Sequence, residues 1–131
     1  RRPPRSTLFP YTTLFRSERK PLPSIYQVTL GRALVDAGAD VVWGNHPHVL
    51  QGAEFYRGKP IMYSMGNLIS NLPCRNGLFR MTVPDSGKAK MEFLPGEVHG
   101  GRVTLLTGSA KRAAQVEMHR LCLLLLQQFW R

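Results

Sequence analysis

GRALVDAGADVVWGNHPHVLQGAEFYRGKPIMYSMGNLIS, residues 31–70, is the stretch from which the fold can be read. Just before and within it, Ile25, Val28, Leu34, Val35 and Ala37 recur near helical spacing behind Ser24, a residue type that caps helix N-termini. Gly38 follows as a C′ stop, so the pattern predicts a helix over 24–37, with Gly31 inside it at some cost. Asp40-Val41-Val42-Trp43 is a short apolar run ended by Gly44, which reads as a buried strand feeding a loop. Helix, short strand and loop make one αβ half-unit of a layered α/β domain.

Downstream the pattern changes to short runs joined by turn residues. Val49–Tyr56 and Pro60–Met65 read as strands of a hairpin closed at Arg57-Gly58-Lys59. Gly77–Val83 and Lys88–Leu94 flank Pro84-Asp85-Ser86-Gly87, a turn by composition. Glu97–His99 and Arg102–Leu106 flank Gly100-Gly101, a second hairpin signal. Ser109 is positioned to cap a last helix running through Trp130, with Val116, Leu123 and Leu126 on one side. The expected fold class is α/β: one αβ unit, then antiparallel strands, then a C-terminal helix.

Gly44-Asn45-His46-Pro47-His48 is the constellation with metal-site chemistry. Imidazole suits Zn, Mn and Fe ions. In an extended segment residues two apart share a side, so His46 and His48 can converge on one ion. Pro47 fixes φ between them and biases His46 toward extended geometry. Two histidines at this spacing are by themselves a weak signal. A buried strand leading into a proline-stiffened loop strengthens it, because open α/β sheets place their sites at strand C-terminal ends.

The block from about Gln27 to Ser70 resembles the CapA-type capsule (poly-γ-glutamate) synthesis proteins. The linked motifs are the AGAD helix end, the G-x-H-P-H loop, the Gly-Lys-Pro-Ile hairpin and Tyr-Ser-x-Gly-Asn; a looser match continues through Phe93-Leu94-Pro95 and Gly100-Gly101. The resemblance implies the C-terminal part of a calcineurin-like metallophosphoesterase architecture of αββα layers. It implies His46 and His48 as metal ligands and Asn67, with Asn45, as substrate-binding or supporting residues. Mn, Zn or Fe would be the ion in the whole protein, with weak or no binding by this piece. An envelope polymer or phosphorylated substrate would be the partner, and the cell envelope the location. The upstream Asp-x-His, Gly-Asp and Gly-Asn-His elements of such a fold are missing, so catalytic residues cannot be assigned and the piece is expected to be inactive.

The bulk numbers set bounds. A chain of 131 residues that is 43% hydrophobic suits one domain with a core. Cys74 and Cys122 lie far apart and read as free thiols. The net charge of +10 raises an alternative, a non-catalytic basic domain binding nucleic acid or envelope polyanions. Against it, Arg1, Arg2, Arg5, Arg16, Arg19 and Lys20 face Glu18 alone and hold half of that charge, which suits a solvated tail better than a specific nucleic-acid surface. The longest apolar run, Leu121–Leu126, is far short of the ~20 residues of a membrane span, and no signal-peptide pattern opens the chain.

Residues 1–17, RRPPRSTLFPYTTLFRS, carry a repeated Thr-Leu-Phe and no sustained periodicity. They resemble a translated sequencing adapter and are read as a non-native or disordered tail ahead of a domain over 18–131. Deleting them is expected to leave stability nearly unchanged, and the strand at Val41-Val42-Trp43 is expected to keep one open edge that promotes self-association. Asn67, after Gly66, either orients a ligand or serves as an αL turn residue. Tyr63 and Ser64 alternate, so at most one faces the site. Gln51 and Glu54 are either imidazole partners or solvent-facing hairpin residues. His99 reads as a turn-edge residue and His119 as exposed helix surface.

Overall fold

A computed structural model describes residues 8–11, 19–70, 72–82, 84 and 89–130. Among the described residues, two small sheets and two helices form. Strands β1 (Leu8–Tyr11), β2 (Val41–Gly44), β3 (Ala53–Tyr56) and β4 (Lys59–Met62) form a mixed sheet in the order β1-β2-β4-β3. Strands β5 (Cys74–Thr82), β6 (Lys90–His99) and β7 (Arg102–Leu105) form an antiparallel sheet in chain order. Helix α1 spans Ile25–Asp36 and helix α2 spans Gly108–Phe129. The α/β class, with antiparallel strands and a closing helix, is as the residue pattern indicates.

Ser24 caps α1 through a capping box: its Oγ accepts from the Gln27 backbone N–H and its own N–H donates to Gln27 Oε1 at 3.0 Å. Gly38, at φ +106°, ends the helix where the sequence places the stop. Val28 and Val35 of α1 pack with Ala39, Val42, Ile61, Tyr63 and Leu125 in the main buried cluster. Helix α1 thus covers the centre of the mixed sheet, and α2 reaches the same core through Leu125.

Four residues of the stretch set aside as a tail take part in the sheet. The backbone of Leu8–Tyr11 runs parallel to β2, with Leu8 opposite Val41 and Tyr11 opposite Gly44. The edge of β2 expected to lie open is therefore occupied, and β1-α1-β2 is a parallel βαβ unit.

The β3–β4 hairpin turns on Arg57-Gly58, whose φ angles of +50° and +75° match the two-residue turn that follows strand twist. Its strands are shorter than the apolar runs suggest. The ladder stops at Ala53 and Met62, and pairing resumes only as a single bridge between Leu50 and Met65. Gly52 lies in the gap, so close to α2 that a Cβ there would come within 2.7 Å of the Leu121 carbonyl oxygen. Packing of α2 against the strand ends leaves no room for a regular ladder.

Two further boundaries differ from the sequence reading. β6 continues through Pro95-Gly96, where a break is expected, because Pro95 faces Leu106 just past the end of β7. Its carbonyl accepts from the Leu106 N–H at 2.9 Å, and the missing proline N–H leaves only the outermost rung half-made. Helix α2 begins one residue before Ser109, with Thr107 at the N-cap and no side-chain cap bond. Its buried face is Ala114, Met118, Leu121 and Leu125, whereas Val116, Leu123 and Leu126 are exposed. The turn expected over residues 84–87 lies, apart from Pro84, outside the described residues.

Candidate functional site

The His-Pro-His loop leaves β2 through Gly44. A Cβ at Gly44 would sit 2.5 Å from the Tyr63 carbonyl oxygen, so glycine is required by a close backbone approach. Beyond it Asn45 and His48 are exposed, His46 is half-buried and Pro47 is buried. The two imidazole rings are brought together, with centroids 5.6 Å apart and planes tilted by 50°. The convergence is achieved differently from the extended geometry expected. His46 has φ +96° and His48 φ +62°, left-handed values that side-chain-bearing residues rarely adopt. The Pro47 carbonyl accepts from the Arg19 N–H at 2.8 Å, so the turn is tied down at its middle residue. Backbone strain of this kind, held in place by its surroundings, clusters at functional sites.

Asn67 joins the pair. Its Oδ1 lies 2.7 Å from His48 Nδ1. Of the two roles open for Asn67, the αL turn is taken by Gly66, at φ +74°, and the Asn67 side chain serves His48. Ser64 is buried, and its Oγ accepts from the Gly66 N–H at 3.3 Å, which shapes the loop. Tyr63 is buried as well and turns into the core.

Gln51 and Glu54, weighed as solvent-facing or as imidazole partners, are both buried in other networks. Gln51 accepts from Gln27 Nε2 at 3.0 Å and donates to the Lys20 carbonyl at 2.9 Å, linking α1 to the segment beneath the histidine loop. The Glu54 carboxylate accepts two bonds from Arg32, at 3.1 and 2.9 Å, one from the Tyr63 hydroxyl at 2.6 Å and one from Trp130 Nε1 at 3.2 Å. Arg32 also stacks over the Trp130 ring at 4.8 Å. Burial opposes charge on Glu54, but these donors, Arg32 first, hold its carboxyl below the ordinary range. Their burial comes from long-range packing that no local pattern announces.

The chemistry available is that of two imidazoles and one amide oxygen already committed to one of them. Among the described residues no group of three or more His, Cys, Asp or Glu comes together to hold an ion. The residues present therefore match part of a metal's ligand set and not a whole one. His99 and His119 are exposed and remote in the fold, on the β6–β7 turn and on α2. Both cysteines are free; the Cys122 sulfur accepts from the Ala53 N–H at 3.3 Å, and burial pushes its thiol pKa up, which makes it unreactive.

One residue of this region went unnoticed in the sequence. Asn76 in β5 is buried, and its Nδ2 donates to the Asn67 carbonyl at 2.8 Å. The available clue was a poor strand-former inside a strand.

Comparison with known proteins bears on this loop directly. Residues 15–72, which contain it, match the bacterial capsule synthesis protein family PGA_cap. That stretch of the chain is similar to the family's members. It is 36% identical over 83 residues to the capsule biosynthesis protein CapA of Bacillus anthracis, covering 60% of this chain and 20% of that protein. The PGA biosynthesis protein CapA of Bacillus subtilis is 36% identical over 81 residues, 59% of this chain and 21% of that protein. A probable polyglutamine synthesis accessory protein of Mycobacterium tuberculosis is 41% identical over 44 residues, 34% of this chain and 12% of its own length. The chain spans about a fifth of the length of the CapA relatives. Among the described residues no helix is long and apolar enough to cross a membrane.

Proposed function

We propose that this chain is the C-terminal part of a metal-dependent, phosphoesterase-like protein of capsule or poly-γ-glutamate synthesis in the bacterial cell envelope, and that it is inactive on its own. The observation that carries this reading is the 2.7 Å contact between His48 Nδ1 and Asn67 Oδ1. An amide oxygen can only accept, so Nδ1 carries the hydrogen and Nε2 keeps its lone pair for an ion. Histidines that bind metals are commonly held in this way by a polar neighbour on the second nitrogen. His46, with its ring 5.6 Å away, is the second imidazole of the site. Asn45, exposed next to it in the chain, is the residue we assign to substrate binding or support of the site. The names of the relatives support the polymer assignment, and Mn, Zn or Fe suits the donor set in the whole protein.

Inactivity follows from ligand number. Catalytic zinc-like ions are held by about three protein ligands with one open position, and this loop offers two. The missing carboxylate belongs to upstream elements of the whole protein. The test is to restore the upstream coding sequence and assay phosphomonoester hydrolysis with added Mn²⁺. Metal-dependent hydrolysis that His48→Ala abolishes is expected; hydrolysis indifferent to His48→Ala contradicts the reading.

A second reading, a basic domain that binds polyanions, has the net charge of +10 in its favour. Its weakness is pairing. Arg57–Asp36, Lys59–Asp40, Arg80–Glu92 and Arg120–Glu117 are ion pairs spread over different elements, not a continuous basic stripe. Tight, steeply salt-dependent binding of a polyanion by residues 18–131 would favour it.

A further inference from the structure

We propose that Asn76 is the positioning residue that fixes Asn67, and through it the tautomer of His48. Its role at the site rests on the reading of His48 as a ligand, but its effect on the tautomer does not. Asn76 is 1% exposed, on a strand where an apolar side chain would be the ordinary occupant. Its Oδ1 is buried with no hydrogen-bond partner, a costly arrangement. Gly96 lies against that oxygen, and a Cβ there would come within 2.8 Å of it. The other end of the amide explains its presence: Nδ2 donates to the Asn67 carbonyl at 2.8 Å.

The start of β5 holds the loop on both sides of Gly66. The Gly77 N–H donates to the Met65 carbonyl at 3.3 Å, before Gly66, and Asn76 holds Asn67 just after it. Gly66 itself presses on β5, since a Cβ there would be 3.0 Å from the Arg75 carbonyl oxygen. With its backbone pinned, Asn67 holds Oδ1 against His48 Nδ1, at 2.7 Å. A relay of Asn76, Asn67 and His48 thus joins β5, the loop after β4 and the loop after β2. Its output is an exposed imidazole whose Nε2 keeps its lone pair. A histidine released from this relay returns to the tautomer favoured in water, with the hydrogen on Nε2 and that nitrogen closed to an ion.

The experiment is long-range ¹H–¹⁵N correlation spectroscopy of the histidine rings in the metal-free full chain, at a pH where the imidazoles are neutral. The wild type is expected to show His48 with hydrogen on Nδ1 and a slowly exchanging Asn76 side-chain amide. Asn76→Leu, which fills the space without a donor, and Asn76→Ala are expected to move His48 to predominantly Nε2–H, and Asn67→Ala is expected to do the same. Folded variants that keep Nδ1–H overturn the proposal. So does a wild-type spectrum with His48 protonated at Nε2 or with a rapidly exchanging Asn76 amide, a result that needs no variant to fold. A Zn²⁺ titration of the same sample separates the two readings. Nδ1–H that depends on Asn76, without zinc binding, would count against ion binding by this loop on its own and leave the positioning role intact.

Discussion

Trp130 Nε1, in the last turn of the chain, donates to Glu54 Oε2 at 3.2 Å, across 76 positions. This bond ties the end of α2 to the β3 strand and to Arg32 of α1, so one carboxylate joins three elements around the core. Removing a partner from a buried ion pair leaves an uncompensated charge and costs about 3–5 kcal/mol. Glu54→Ala, which orphans Arg32, is expected to fall in that range and to lower Tm by many degrees. A cost within ~0.5 kcal/mol, as for a surface residue, would contradict the role given to the network.

The same carboxylate sets a pH dependence. Its folded pKa lies below the unfolded value of about 4.3, so its contribution is complete above that value and is lost as pH falls through the folded pKa. Stability is therefore expected to drop on acidification below about pH 4.3, and Glu54→Gln is expected to flatten that part of the profile. Denaturant unfolding of both proteins between pH 3 and 6, compared point by point, checks it.

Helix α2 gives a prediction in which two leucines behave differently. Leu125 is fully buried and Leu123 is 46% exposed. Leu125→Ala is expected to cost about 2–5 kcal/mol, and Leu123→Ala about 0.5 kcal/mol or less. Similar losses for both would mean that α2 is rotated about its axis.

Pairing of Leu8–Tyr11 with β2 changes what deletion of residues 1–17 should do. Taking β1 away leaves an apolar strand with an unpaired edge, which templates association with other copies. Loss of several degrees in Tm and concentration-dependent oligomers on size-exclusion with light scattering are the expected outcome. A monomer of unchanged Tm would show that β1 adds nothing to the fold and support the plain tail read from the sequence.

Much of the fold was legible where the signal is local. Ser24 and Gly38 bracket α1 because caps are short-range chemistry, and Arg57-Gly58 and Gly100-Gly101 mark hairpins because both need positive φ. The face of α2 was not legible. Leu121 to Leu126 is apolar all round apart from the small Cys122, so period alone cannot choose a side, and the choice falls to contacts with β3 and β6. Pro95 looked like a strand end because its effect depends on where the neighbouring strand stops. At the site, residue types announced His46 and His48, yet the left-handed backbone that brings them together did not show in the spacing. Asn76 and Glu54 escaped because a buried polar residue is defined by partners distant in sequence.

The central claim is that His46 and His48 are two ligands of an incomplete metal site held by Asn67. Calorimetric titration of Zn²⁺ into the full chain tests it most directly, with His46→Ala, His48→Ala and Asn67→Ala alongside. The account predicts weak binding of one ion by the wild type. Either histidine variant should abolish the binding, and Asn67→Ala should weaken it about tenfold. Equal binding by the wild type and His46→Ala would contradict the account and remove the loop from any metal site.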